Sequence, residues 1–226
     1  MGLRDKTIYG FGDSLIAGHL IQVGMLHHIV ERNHMKFSNF AQNGATVIPG
    51  DFQKMSGLID TYHIGRQIEL APTEVPDYIC FNGMTNDAFQ IITEHQLGEV
   101  SDSYDGGYDL TTFSGAFENI CLLLRNKYRD SHIIYVTPHR MPIRSMKSQK
   151  ILCQRAMEVC EKWSIPVVDM FHEGEINTCI EGMRDRYTYF TELRMDGGDG
   201  MHLNAEGYIR WYAPKIEAEL LRITER

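Results

Sequence analysis

Ser14 is the residue whose setting most invites chemistry. It follows Gly12 and Asp13 where an apolar run, Ile8 to Phe11, gives way to residues of helical spacing. A serine hydroxyl is a poor nucleophile at neutral pH, so the position matters only if the chain also supplies a base and donors for a developing oxyanion. Candidates for both are present. Asp199-Gly200-Met201-His202 sets a carboxylate three residues before an imidazole. Imidazole, with an unperturbed pKa of about 6.5, is mostly neutral near neutral pH yet holds a proton briefly, which suits a general base. Gly44 and Asn86 stand on what read as the ends of two other strands. Glycine admits close backbone approach and asparagine carries an amide donor, the two features an oxyanion site needs.

Each group alone has a plainer reading. Gly-Asp-Ser is a common turn, Asn86-Asp87 could cap a helix, Gly44 could be a turn glycine, and Asp199 with His202 could be a Gly-rich surface loop or a weak metal pair. Their joint order argues for more. Each lies at the C-terminal end of a predicted strand or in a loop before a helix, where open parallel sheets build their sites.

Together these stations resemble the SGNH, or GDSL, hydrolase family (GDSL-like lipases and acylhydrolases), whose blocks carry a Ser, a Gly, an Asn and a His in that order. The resemblance spans residues 9–202. Phe11-Gly12-Asp13-Ser14-Leu15 matches the first block fully. Asn39-Phe40-Ala41-Gln42-Asn43-Gly44 keeps the Asn and last Gly of Asn-x-Gly-x-x-Gly, with Ala41 between them. Met84-Thr85-Asn86-Asp87 stands where the family usually has Gly-x-Asn-Asp, so Met84 replaces a glycine. Asp199 and His202 match Asp-x-x-His, and Leu203-Asn204-Ala205-Glu206-Gly207-Tyr208 continues as the family frequently does. The resemblance implies an oxyanion hole built from the Ser14 and Gly44 amides and the Asn86 side chain. In the chemistry it points to, Ser14 attacks an ester carbonyl, His202 takes its proton, and Asp199 orients the ring, with neither metal nor cofactor. The three-residue spacing puts Asp199 and His202 on one loop or turn, unlike the separated acid and base of α/β-hydrolases. The second glycine of Gly-x-Ser-x-Gly is also missing. Asp13 and Asp87 read as turn and capping residues.

These side chains need a scaffold, and the chain spells one. Apolar runs at 7–11, 36–40, 78–82, 132–137 and 166–170 read as short buried strands, and 15–33, 51–70, 112–128 and 145–163 as helices between them. Such alternation predicts a five-stranded parallel sheet covered on both faces, a flavodoxin-like three-layer α/β/α sandwich with strand order 2-1-3-4-5. A last helix is capped by Asn204, carries Glu206 in its first turn, and repeats Ile209, Tyr212, Ile216, Leu220 and Ile223 at three and four. Two long connections, 88–110 and 171–195, leave from the nucleophile's side of the sheet and are expected to wall the pocket.

Composition sets outer bounds. With 226 residues, 43% hydrophobic and 23% charged, one domain spanning 1–226 is expected. The net charge of −8 argues against a nucleic-acid partner, since phosphate binding rests on clustered Lys and Arg. Five cysteines without CxxC spacing favour free thiols in a reducing compartment. Neither a signal-like N-terminus nor a run of about 18 apolar residues is present, so a cytoplasmic protein without a membrane span is expected. Among ten histidines, His27-His28, His34, His63, His95, His132, His139 and His172 show no metal-ligand spacing.

The expected activity is hydrolysis of carboxylic esters, with short acyl groups such as acetyl on a polar or carbohydrate alcohol. Tyr104, Tyr108, Tyr187, Tyr189 and Phe190 in the long connections could stack on sugar faces or form local core. Asp102, Asp105 and Asp185 make those segments too polar for a long acyl chain. The alternatives are a lysophospholipase, lipase or thioesterase acting on longer chains, or a glycan-binding module without turnover. Oligomeric state is not legible.

Overall fold

Strand residues alternate between two cores. The computed structural model describes residues 2–19, 23–50, 63–89, 94–190 and 197–225. Strands β1 (Thr7–Phe11), β2 (Lys36–Asn39), β3 (Tyr78–Phe81), β4 (His132–Val136) and β5 (Val167–Val168) form a parallel sheet in the order β2-β1-β3-β4-β5. Ile79, Phe81, Ile133 and Tyr135 enter one core with helices Ile64–Leu70, Phe113–Lys127 and Met146–Lys162. Tyr78, Cys80, Ile134 and Val136 enter the other with helices His27–Asn33 and Ala213–Thr224. The two-residue period of a strand sends neighbours to opposite faces, and both faces are apolar, so helices must cover both. The result is the expected flavodoxin-like α/β/α sandwich, with the expected strand order.

Local sequence explains the long helices. Thr112 caps Phe113–Lys127 by accepting from the Gly115 amide at 3.1 Å, and Phe113, Ala116, Phe117, Ile120, Cys121 and Leu124 recur at three and four on its buried side. Ser145 caps Met146–Lys162 through the Ser148 amide at 3.3 Å. Cys80, Cys121, Cys153 and Cys160 are buried free thiols and Cys179 is exposed. No helix among the described residues is long and apolar enough to cross a membrane.

Several boundaries differ from the sequence reading. The helix expected over 15–33 is two pieces, Ser14–Ala17 and His27–Asn33. Gly18 stops the first at φ 87, and the chain folds back so tightly that a Cβ on Gly24 would sit 2.1 Å from the Ile16 carbonyl. Of the helix expected over 51–70, Ile64–Leu70 is present and 51–62 lies outside the described residues. The fifth strand is shorter than 166–170, because Thr137 Oγ1 accepts from the Met170 and Phe171 amides at 2.7 and 3.0 Å and turns the chain away. The C-terminal helix opens with a π-turn at Tyr208–Tyr212 before Ala213–Thr224. Pro214 has no N–H and its ring crowds the carbonyl four residues back, which favours such a bulge. The shift in register leaves Ile209 47% exposed and buries Tyr208 instead.

The connection at 171–195 contains secondary structure. A helix at Glu181–Tyr187 leads into β6 (Thr188–Phe190), which pairs antiparallel with β7 (Gly198–Leu203). Residues 191–196 lie outside the described set. In the other connection a helical turn at Asp87–Phe89 and a short helix at Glu94–Leu97 are present, and 90–93 lies outside it.

Candidate active site

Ser14 stands at the first turn after β1, and the turn before it is fixed by side chains from elsewhere. Gly12 donates its N–H to Gln67 Oε1 and accepts from Gln67 Nε2, both at 2.9 Å. Asn82, just past β3, accepts from the Asp13 amide at 3.1 Å and donates to Asp13 Oδ1 at 2.7 Å. Gly12 is required here: its φ is 147 and a Cβ would fall 1.9 Å from Asn82 Oδ1. Asp13 accepts from the Leu15 amide at 2.9 Å and so caps the Ser14–Ala17 turn. Asp13 is fully buried, and burial raises its pKa against the pull of the Asn82 and Leu15 bonds. Asp13 therefore acts as the capping residue the sequence implied.

Asp199 and His202 sit on β7, not on a loop or turn as expected. Asp199 Oδ1 accepts from the Met201 and His202 amides at 2.8 and 2.9 Å, and Oδ2 lies 2.6 Å from His202 Nδ1. Ser14 Oγ lies 2.9 Å from His202 Nε2. With Nδ1–H donating to the carboxylate, Nε2 carries the lone pair and can accept the serine proton. Burial opposes charge on Asp199. The hydrogen bond and charge of His202, together with the two amides, outweigh that opposition and hold its pKa below the usual carboxylate value. Gly200 is gripped from both sides: its carbonyl accepts from Thr178 Oγ1 at 2.6 Å and its amide donates to Thr188 Oγ1 at 3.0 Å. Both threonines come from the 171–195 connection, which thus braces the acid–base strand.

Gly44 and Asn86 meet in one loop cluster. Gly44 adopts φ 82, and Asn86 Nδ2 donates to the neighbouring Ala45 carbonyl at 2.9 Å. Asp87 accepts from the Val47 amide at 3.0 Å and the Ile48 amide at 3.0 Å. Burial pushes Asp87 up to about 6, against the pull of those two amides. Met84, where the family has glycine, takes φ 77 and is fully buried. The chain thus makes a left-handed turn at a residue whose side chain fills the core.

Four residues around this centre were not singled out by the sequence. Arg144, 7% exposed, donates through Nε to the Thr85 carbonyl at 3.0 Å and through Nη2 to Met201 Sδ at 3.5 Å, bridging the Asn86 turn to β7. Its guanidinium lies 3.5 Å from the ring centroid of Phe89, which is 71% exposed, and burial lowers its pKa to about 10. Behind β7, fully buried His139 is held by the Tyr212 hydroxyl, which lies 2.9 Å from both its amide and its Nδ1. Burial drops His139 to about 3, so it stays neutral. His19 stacks on His202. Nothing in the local sequence marks these four, because their partners lie far along the chain.

The aromatics of the long connections divide. Tyr104 donates to the Lys162 carbonyl and packs on Trp163, and Tyr108 donates to the Ser103 carbonyl beneath Lys162. Both cluster at the C-terminal end of Met146–Lys162, the end of the sheet opposite Ser14, where Tyr104 is 53% exposed and Tyr108 is half-buried. Tyr187 is buried against Trp211. Tyr189 is buried near Asp199, with burial first and that charge second raising it to about 12. Of Phe190, only its place in β6 is described. A cleft of about 420 Å³ lined by Tyr108, Asp109, Thr112 and Glu118 among others shares no residue with the Ser14 site.

Cys153, Asp169 and His172 bring potential metal ligands within 4.8 Å of one another. The Asp169 carboxylate already accepts from the Phe171 and His172 amides and from His172 Nδ1, and burial raises the thiol to about 12. These features describe a hydrogen-bonded turn.

A scan against protein-family models finds no match, and neither does a search of curated proteins. Solved structures do match. One Lactobacillus plantarum protein superposes with a TM-score of 0.75 at 17% identity, covering 97% of this chain and 98% of that one. The lipase/acylhydrolase from Enterococcus faecalis gives 0.57 at 20% identity, covering 95% of each chain. A family two carbohydrate esterase from Clostridium thermocellum, solved with cellohexaose, gives 0.61 at 15% identity, covering 100% of this chain and 66% of that one. A putative GDSL-like lipase from Bacteroides ovatus gives 0.64 at 16% identity, covering 96% of this chain and 98% of that one, and with the parallel sheet and its strand order these matches give the chain the fold of the GDSL hydrolases.

Proposed function

We propose that the chain is a serine carboxylic ester hydrolase with Ser14 as nucleophile, His202 as base and Asp199 as its orienting acid. The observation that carries this is the continuous line from Ser14 Oγ to His202 Nε2 at 2.9 Å and from His202 Nδ1 to Asp199 Oδ2 at 2.6 Å. In that geometry Oγ attacks the ester carbonyl carbon as Nε2 takes its proton. Charge then develops on the carbonyl oxygen, where the Ser14 and Gly44 amides and the Asn86 amide serve as donors. Within the Ser14–Ala17 turn the Leu15 amide is taken by the Asp13 side chain, and those of Ile16 and Ala17 by its carbonyl. That leaves the Ser14 amide for this role. Collapse of the intermediate breaks the bond to the alkoxide, which leaves with the His202 proton. Water then repeats the sequence on the acyl-serine.

For substrate, the reading is a short acyl group on a polar or carbohydrate alcohol. A buried guanidinium at Arg144 beside the Asn86 turn supplies a polar contact, and a carbohydrate esterase is among the structural matches. Exposed Phe89 beside the same turn favours a second reading, in which an apolar acyl chain rests on that ring. Hydrolysis of p-nitrophenyl acetate by the wild type and by Ser14→Ala tests the core claim. Loss on the order of 10⁶-fold in kcat is expected, and an equally active variant would contradict it.

A further inference from the structure

The helical turn that carries Ser14 stops early, and the next residue lands on the base. Gly18 ends the turn at φ 87 and ψ 141, its N–H bonded to the Ser14 carbonyl at 3.0 Å. Side chains with a Cβ resist that backbone geometry, so a glycine here is what permits the reversal. The reversal brings His19 back over the site. Its ring lies parallel to that of His202, with centroids 3.8 Å apart and planes inclined by 4°.

We propose that His19 is a positioning residue for ester hydrolysis, a flat plate that holds the His202 imidazole in the plane joining Asp199 to Ser14. The proposal rests on the catalytic reading given above. The need for such a plate follows from the hydrogen bonds. His202 is held at two points, Nδ1 by Asp199 and Nε2 by Ser14, and both bonds lie in the plane of the ring. The ring hangs from Cβ and can still rock about χ1 and χ2, tipping out of that plane at the expense of both bonds. A ring stacked on one face blocks that tilt and uses neither nitrogen. The edge of His202 that must hand a proton to the leaving alcohol stays open.

Charge supports the same role. Burial first, and the His202 charge second, lower the pKa of His19, with Asp199 pulling the other way. His19 is therefore the neutral partner when His202 becomes an imidazolium, and a cation over a neutral aromatic face is attracted to it. Gly18 and His19 thus give the interruption of the expected helix a function.

The test uses the full chain and a fluorophosphonate probe, whose reaction with Ser14 needs the base but no cognate substrate, alongside steady-state p-nitrophenyl acetate hydrolysis. His19→Ala and His19→Gln remove the ring, whereas His19→Phe keeps a ring without nitrogens. Both ring-less variants should lower labelling rate and kcat by about 10–100-fold, with KM within about threefold and an unchanged melting temperature. His19→Phe should recover most of the rate. The proposal is overturned by wild-type rates in the ring-less variants, or by a His19→Phe rate as low as theirs. A Ser14→Ala chain that still reacts would instead overturn the catalytic reading, and this inference with it.

Discussion

Asn86 has a second task besides the one proposed for it. Its amide donates to the Ala45 carbonyl at 2.9 Å, so the group proposed as an oxyanion donor also fixes the loop beside Gly44. Removing one such donor typically costs about 10²–10³ in kcat. Asn86→Ala should show that loss with a far smaller change in KM, and kcat at the wild-type level would move the donor elsewhere. Met84 raises a different question at this scale. Replacing it by the family's glycine would relieve left-handed strain of about 1–2 kcal/mol but delete a buried side chain worth about 2–5 kcal/mol. Burial wins, so Met84→Gly should lower unfolding stability by about 1–3 kcal/mol in denaturant melts. A stabilised variant would mean that strain dominates. Ser14, Asp199 and His202 were legible because their motifs are compact. His19, Gln67, Asn82 and Arg144 were not, because what matters about each is a partner far away in sequence.

The acid–base pair was expected on a loop, and the elements explain the error. Gly198-Asp199-Gly200 does not read as a strand, since glycine weakens strand interiors. β7 exists because β6 pairs with it and Thr178 and Thr188 clamp Gly200. A broken helix was similarly hidden, its continuous apolar spacing outvoting Gly18 and Gly24. Pairing on β7 has a pH signature. The Asp199 pKa is lower in the folded chain than in the unfolded one, so its contribution to stability is complete above the unfolded value and lost as pH falls through the folded one. The melting-temperature gap between wild type and Asp199→Asn should shrink as pH falls below about 4. A gap that widens as pH falls below about 4 would reverse the assigned shift. The same variant should lose about 10³–10⁴ in kcat, because its ring loses its orienting partner.

Across the whole molecule the buried runs gave the parallel sheet covered on both faces, and the family resemblance supported its strand order. What they could not give is where the long connections go. Tyr104 and Tyr108 pack at the far end of the sheet, whereas Phe89 and Arg144 flank the Asn86 turn. Among the described residues, the candidate substrate surface carries the exposed Phe89 ring beside the Arg144 guanidinium. A long acyl chain would need a continuous apolar groove to gain about 0.8 kcal/mol per buried methylene. Across a series of p-nitrophenyl esters, kcat/KM should be higher for acetyl than for octanoyl. A steady rise with chain length would favour the lipase reading.

Labelling of the wild-type chain by a fluorophosphonate, followed by mass spectrometric mapping of the modified residue, tests the central claim most directly. The geometry of Ser14, His202 and Asp199 predicts one modification, on Ser14, abolished by His202→Ala. A label on any other serine, or an undiminished label on Ser14 in the His202→Ala chain, would contradict it.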